Sequence, residues 1–391
     1  YLMKKLLGLL LVITMAWPTA AKADVLKNVD LKGEIQTIAS DARHDDLGVF
    51  GSGTNYRVLA GLSAELVEDV TANVLFQYNN VWNGSAAGEN LQHYWDNVKL
   101  AEANVVLSNL FDCFEATVGR QFYGDEDSAV LYLGPNHYVF NMNAAPSLDA
   151  AKLTYSDDFK AVTLVAGKIK HLAYDSDVYG ADVKLNLTDA WQLQAYGYDI
   201  KNSEDEVGYD GKHYGFYGAK ATFAPQAFAV SAEYARGFEG HRLVKEGHDT
   251  PYMVKADGAL YLEAFTPRAT FYYAKGVVSL LGNYYPGLAV GHLLAGLNMP
   301  LSDYSDGIRL FNVGVDYAWN KFVFSLDGFS FQDRTAQQSS TWEADLVAKY
   351  NHNEYVQLFA GLGYAKYSAA DQQTQLAKDN TVGQVGMLIK F

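Results

Sequence analysis

From Val29 to Phe391 the chain is built of segments of roughly ten residues that are apolar at every second position. A period of two belongs to extended chain, where successive side chains point to opposite faces. Tyr56, Val58, Ala60, Leu62, Ala64 and Leu66 share one face; Arg57, Gly61, Ser63 and Glu65 share the other. Val70, Ala72, Val74, Phe76 and Tyr78 alternate with Thr71, Asn73, Gln77 and Asn79. Tyr179 to Leu187 sets Asp182, Lys184 and Asn186 against an apolar face, and Trp342 to Tyr350 does the same with Glu343, Asp345 and Lys349. Charge on the second face of so many strands has to be solvated. A soluble sandwich turns its apolar face to a shared core, whereas a membrane barrel turns it to lipid and keeps water on the polar side.

Connections of two lengths take turns along the chain. Short ones (Glu68-Asp69, 156–159, 188–190, 224–226, 351–353) alternate with long ones (81–94, 124–146, 239–257, 286–306). Segregating loop length by parity is the habit of an outer-membrane barrel, with its short turns on the periplasmic side. The expected fold is therefore all-β: a transmembrane antiparallel barrel of eighteen strands, or sixteen if the weak segments around 148–155 and 258–285 fail. Beyond the leader, Trp82, Trp95, Trp191, Trp319 and Trp342 fall at strand ends or in turns, as interfacial girdles require. The last segment puts Val385, Met387, Ile389 and Phe391 on one face, the pattern of a closing strand read by a barrel-assembly machinery.

Lys4 and Lys5, an apolar run from Leu6 to Ala16 and Ala21-Lys22-Ala23 have the layout of a signal peptide over residues 1–23, leaving 24–391 as one barrel domain. Eleven apolar residues fall short of the roughly 20 that span a bilayer as a helix. The net charge is −15, and removing residues 1–23 would take away three lysines and no acid. Such a chain is a poor partner for nucleic acid. Beside an outer leaflet of anionic lipopolysaccharide, acidic loops would need bridging divalent cations. Cys113 is the single cysteine, which excludes an internal disulfide and a thiolate metal site.

No local signature of catalysis is present. The nine histidines are scattered, without H-E-x-x-H, and no G-x-S-x-G elbow occurs. Neither Asp125-Glu126-Asp127 nor Glu204-Asp205-Glu206 has calcium-loop spacing. The expectation is no enzyme, no cofactor and no metal. The loop 124–146 stands apart because it carries Val130-Leu131-Tyr132-Leu133 and Tyr138-Val139-Phe140. A loop that greasy has to fold against something. It is expected either to pack over the rim or to enter the barrel, with Asp125, Glu126, Asp127, Asn136 and His137 near a constriction.

Glu102 to Leu107, then Val118-Gly119-Arg120-Gln121, Leu148 to Leu153, Tyr217 to Lys220 and Val230 to Gly240 together resemble the alginate-export family of porins. The resemblance implies an eighteen-stranded, monomeric, passive channel in the outer membrane. That family's polyanionic cargo calls for a basic lumen. Here parity places Arg57, Lys152, Lys184, Lys220 and Lys349 inside, against Glu65, Glu102, Asp182, Glu233, Asp316, Asp327, Glu343 and Asp345. Arg120 shares the parity of Phe114, Ala116 and Val118 and needs a bulge or an interfacial position to join the pore-lining set. With acids in the majority, the expected cargo is a small polar or cationic solute or a saccharide, and polysaccharide export is the alternative. Tyr196, Tyr198, Tyr214 and Phe216 lie on or near the lumen face, where aromatic rings can stack on sugars. Outer-membrane lipid, lipopolysaccharide and the assembly machinery complete the expected partners.

Overall fold

The computed structural model describes residues 27–43, 53–82, 98–126, 128–136, 145–170, 175–202, 213–237, 250–276, 284–296, 307–333, 340–367 and 379–391. Residues 1–23, expected as a signal peptide, and Trp95, Asp127 and His137 lie outside them. The first strands are β1 (Lys27–Arg43), β2 (Gly53–Val67), β3 (Val70–Trp82), β4 (Val98–Leu110), β5 (Phe114–Gln121) and β6 (Leu148–Ser156). There follow β7 (Lys160–Lys170), β8 (Asp175–Asn186), β9 (Trp191–Asn202), β10 (His213–Phe223), β11 (Phe228–Gly237) and β12 (Tyr252–Leu260). Then come β13 (Phe265–Lys275), the short helix α1 (Ala289–Gly296), β14 (Ile308–Trp319), β15 (Phe322–Asp333), β16 (Ser340–Asn351), β17 (Val356–Tyr367) and β18 (Asn380–Lys390).

Each strand pairs antiparallel with its neighbours in sequence, and β1 also pairs with β18, so the eighteen-stranded sheet closes on itself. Closure leaves no edge with unpaired backbone groups, the condition for a sheet to cross hydrocarbon. The sixteen-stranded alternative is thereby set aside. β6 is hard to read in sequence because both its faces are apolar. Leu148 and Ala150 are buried inward, in one cluster with Val130, Leu131 and Leu133. β12 is hard to read because its outward face dwindles to Ala256 and Gly258; it begins at Tyr252, inside the expected loop 239–257.

Burial runs opposite to that of a soluble protein. Gln36, Arg57, Gln77, Asn312 and Glu343 are buried on the inward face, whereas Leu164, Leu326, Leu346, Leu362 and Val385 stand exposed on the outward face. In water that outer band would be costly; against lipid it is at home. Aromatic rings collect at the periplasmic ends. Trp191 stacks on Phe223 with ring centres 4.5 Å apart, and Phe265–Tyr317 and Phe322–Tyr350 each sit at 4.8 Å. Toward the opposite rim, Trp342–Tyr364 and Tyr252–Tyr273 sit at 5.5 and 5.7 Å.

Phe391 seals the ring. Its carbonyl accepts from the Gly33 amide at 2.7 Å and its amide donates back at 3.0 Å. Its own ring lies across Gly33, where a Cβ would come within 2.9 Å of the ring edge. The same Cβ would come within 2.2 Å of the Leu59 carbonyl, so a side chain at position 33 would have to displace the backbone of β2.

Candidate functional site

The site is the lumen and the two segments that return into it from the loop side. Alternation in β1, β2 and β3 points Glu34, Gln36, Arg57 and Gln77 inward, and all four are buried. The Arg57 Nη2 donates to Glu34 Oε1 at 2.9 Å, to Gln36 Oε1 at 2.8 Å and to the Asn136 carbonyl at 2.9 Å. A wall arginine thus holds the backbone of the segment after β5. The same segment folds back on itself, with Tyr123 and Leu133 exchanging backbone hydrogen bonds at 2.8 and 2.7 Å. Ala129, Val130, Leu131 and Leu133 are buried in one cluster with Val165, Ile169, Val178 and Ile200. On the far side Lys184 Nζ meets Asp125 at 3.1 Å, and the Ala145 amide donates to Gln77 Oε1 at 2.9 Å. The apolar run therefore enters the barrel and does not lie over the rim.

That burial changes one expectation. Tyr196, Tyr198 and Phe216 do face inward, but they are covered. The hydroxyls of Tyr123 and Tyr198 are 3.3 Å apart, the Tyr198 and Phe216 rings 5.6 Å, and Tyr196 donates to Glu233 at 2.6 Å. These rings pack the segment against the wall and offer no free face to a sugar. The Tyr123 hydroxyl is pushed up to about 12, chiefly by burial, and so stays protonated. Burial pushes Tyr132 up as well, and its hydroxyl donates to the Pro135 carbonyl at 2.9 Å. The Tyr214 side chain lies outside the described residues.

The second segment carries α1, whose first amides meet carboxylates of β16. Ala289 N donates to Glu343 Oε1 at 2.6 Å, Val290 N to Glu343 Oε2 at 3.0 Å and Leu288 N to Asp345 Oδ2 at 2.7 Å. A helix N-terminus has unpaired N–H groups and a positive dipole end, and two carboxylates answer both. Glycine makes the approach possible. A Cβ on Gly363 would come 2.8 Å from the Leu288 side chain, and Gly287, at φ +78°, has the Glu343 carboxylate 2.7 Å from where its Cβ would be.

The other predicted charges are shared out in pairs along the wall. Glu102 takes Lys32 at 3.2 Å, and Lys152 lies 3.9 Å from Glu115. Asp316 and Asp327 hold Arg268 at 3.2 and 2.6 Å, with Asn312 also on Asp327 at 3.2 Å. Asp182 accepts from Gln194, and Glu65 from Asn28 near the periplasmic end. Lys220 stands in register with Glu233 and Gln194, and Lys349 with Val323 and Phe359. Glu126 is exposed on the inserted segment. Sequence reasoning missed Lys32, Glu34, Glu115, Lys255, Asp257 and Arg268. The parity of β1 would have yielded the first two and that of β5 the third; the others sit on β12 and β13, where hydrophobic contrast is weak. Lys255 lies 3.3 Å from Asp257 and 5.0 Å from the Tyr284 ring centre.

Arg120 is not in the lumen. Thr117 and Gln121 are buried inward, while Val118 stands exposed on the face that Arg120 shares. Arg120 Nε and Nη2 grip Asp149 at 2.6 and 2.7 Å, and Nη1 reaches the Leu100 carbonyl at 3.2 Å. No bulge reverses the parity, so the arginine points outward, one residue from the loop end of β5. At mid-bilayer an outward arginine would cost about 2–4 kcal/mol, falling to near zero at the interface. An ion pair at the rim is the arrangement that cost allows.

No protein-family model matches the chain, and no curated protein does. Solved structures do. OccK3 (OpdO) of Pseudomonas aeruginosa superposes with a TM-score of 0.64 at 12% identity, over 94% of this chain and 97% of that one. OpdK of the same organism, solved with vanillate, gives 0.62 at 9% identity over 94% and 99%. OccAB1 of Acinetobacter baumannii gives 0.61 at 10% identity over 95% and 98%. The resemblance to alginate-export porins rests on the residues quoted for it alone. At these identities the likeness is one of fold: the chain is a closed eighteen-stranded antiparallel β-barrel of the architecture that those outer-membrane proteins share.

Proposed function

We propose that this barrel is a passive diffusion channel for small polar solutes, with neutral saccharides and cations preferred over anions. The observation that carries the reading is the inward face of the wall. It is polar and weighted toward acids even after Lys32, Lys255 and Arg268 are added, because Glu34, Glu115 and Asp257 are added with them. A pore lined by one sign of charge raises the local concentration of the opposite sign. Segment 122–136 and the stretch leading into α1 narrow the lumen from two parts of the wall, with Asp125 and Glu126 on the first of them. Asp127 and His137, expected near the same constriction, lie beyond the described residues. The terminal strand through Phe391 serves recognition by the assembly machinery. Export of a polyanion is disfavoured by the acid weighting and by Arg120, which lies outside the pore.

Reversal potential in planar bilayers under a salt gradient tests the reading. Cation preference is expected. Anion preference would overturn the assignment of solute charge, and absence of conductance by a folded barrel would overturn the channel.

A further inference from the structure

The loop-side half of the lumen is closed to solvent around α1. Phe216, Met253, Leu310 and Val382 point inward from that half of their strands, all buried, in one apolar cluster with Ala289 and Val290. A polar solute crosses this half only when something moves. The seat of the stretch leading into α1 shows what is built to move. Leu288 rests where β17 is bare of side chains, since a Cβ on Gly361 would come 2.9 Å from it and one on Gly363 2.8 Å. Three consecutive amides, Leu288 to Val290, fix the stretch there on two carboxyl groups.

Glu343 and Asp345 occupy successive inward positions of β16, are 1% and 4% exposed, and hydrogen-bond each other. A carboxylate is an acceptor only, so a hydrogen bond between two of them needs a proton on one. The remaining contacts show where it sits. The two Glu343 oxygens accept from Ala289 and Val290, and Asp345 Oδ2 accepts from Leu288. Asp345 Oδ1 is buried with no donor among the described residues. An O–H on that atom, donating to Glu343, satisfies both groups. Among the described residues neither carboxyl group has a cation as ion-pair partner. Asp327, across on β15, adds a further acid, itself met by Arg268 and Asn312. β17 contributes only Gly363 and Ala365 opposite the pair, and β18 brings Asn380 to the Ala289 carbonyl. His292 is buried on α1, Tyr284 and Tyr285 precede it, and Lys349 lies two inward positions further along β16. Two bare charges in this seat would repel at close range without a cation between them.

We propose that Glu343 and Asp345 share one proton, and that its loss releases the α1 stretch and opens the loop-side half of the lumen. The inference rests on the channel reading above. With the proton in place the pair presents one negative charge to a helix N-terminus, whose dipole favours it. Without it two charges adjoin, and Asp345 Oδ1 loses its hydrogen bond. The seated form therefore holds a proton that the released form gives up to water. Seating is favoured at lower pH and is lost as pH rises through the range where the proton leaves.

Hydrogen–deuterium exchange of residues 284–296 in the folded barrel, corrected for intrinsic rates, reads the seating, and single-channel conductance reads the opening. From about pH 6 to about pH 10, protection of the Leu288, Ala289 and Val290 amides should fall about two- to thirtyfold, the change that losing a helix cap brings. Conductance should rise over the same range. Asp345→Asn carries an N–H donor in place of the proton at every pH, so it should keep both the protection and the low conductance throughout. His292→Gln should keep the wild-type step. Heat-modifiable gel mobility reports that each variant folds, and the wild-type pH course carries the test if a variant does not. Protection that is constant with pH in the wild type would overturn the proposal. So would a step that persists in Asp345→Asn, or one that vanishes in His292→Gln. A barrel that conducts at no pH while its protection still falls would uphold the release and overturn the channel reading instead.

Discussion

The two segments that enter the barrel are held by opposite chemistries. Segment 122–136 offers a backbone carbonyl, at Asn136, and the wall answers with a cation, Arg57. The stretch leading into α1 offers backbone amides, at Leu288, Ala289 and Val290, and the wall answers with Asp345 and Glu343. In both places the charged wall residue satisfies main-chain atoms that would otherwise be buried without partners, which is costly in a dry site. The difference lies in what else helps. Segment 122–136 has an apolar cluster behind it, from Ala129 to Leu133. Among the described residues the stretch around α1 brings less to that cluster: Ala289 and Val290 belong to it, Tyr284 and Tyr285 pack against it, and Asn380 donates to the Ala289 carbonyl at 3.4 Å. Packing carries more of the hold on segment 122–136, and the latch carries more of the hold on the stretch leading into α1.

Arg57→Ala should have the largest effect on stability. The side chain is fully buried, and its loss takes the ion pair from Glu34, a nearly buried carboxylate. Removing one member of a buried pair costs about 3–5 kcal/mol. Urea unfolding of the barrel in lipid vesicles should show a loss in that range. Conductance should rise less than that number suggests, because the apolar cluster keeps segment 122–136 in place. A large rise with little loss of stability would break the comparison, since the latch would then be the segment's main hold.

Glu343→Ala should do the reverse, costing less stability and opening the channel more. The carboxylate caps two amides of α1, and losing a cap costs about 0.5–2 kcal/mol. Single-channel recordings should show a higher or unsteady conductance as the helix leaves the wall. Glu343→Gln should recover part of the effect, because one amide oxygen still accepts while its NH2 confronts the second donor. Steady wild-type conductance in Glu343→Ala would show that packing holds both segments alike.

Much of this was legible before any coordinates. The eighteen strands, the closing role of Phe391 and the inward parity of Arg57, Glu343 and Asp345 follow from a period of two and from loop lengths. What the pattern could not supply is which inward charges are engaged by main-chain atoms. Glu343 and Asp345 read as lumen charge for a solute, yet they hold a helix whose sequence, Ala289 to Gly296, lies within an expected loop. Tyr196 and Tyr198 read as open faces, because parity gives direction and is silent about what comes to rest on top. Arg120 is the converse case: its parity already pointed to lipid, and the family resemblance pointed inward. Parity was right because Gly119 alters the backbone without adding a residue to the register.

The smallest effect should come from Lys184→Gln, and it sharpens the comparison by testing a latch that is neither buried nor aimed at the main chain. Lys184 meets Asp125 at 3.1 Å with both side chains substantially exposed. Exposed pairs contribute about 0–1 kcal/mol, so unfolding should be displaced barely or not at all. The charge balance does change. Asp125 loses the cation that partly neutralises it, so under the proposed constriction the reversal potential should move toward greater cation preference, and Asp125→Asn should move it back. Salt ought to erase both shifts, since the pair is open to solvent and screened within about 10 Å at 0.1 M. If Lys184→Gln instead destabilised the barrel as much as Arg57→Ala, side-chain pairing alone would account for the hold on segment 122–136. The distinction between packed and latched insertions would then fall.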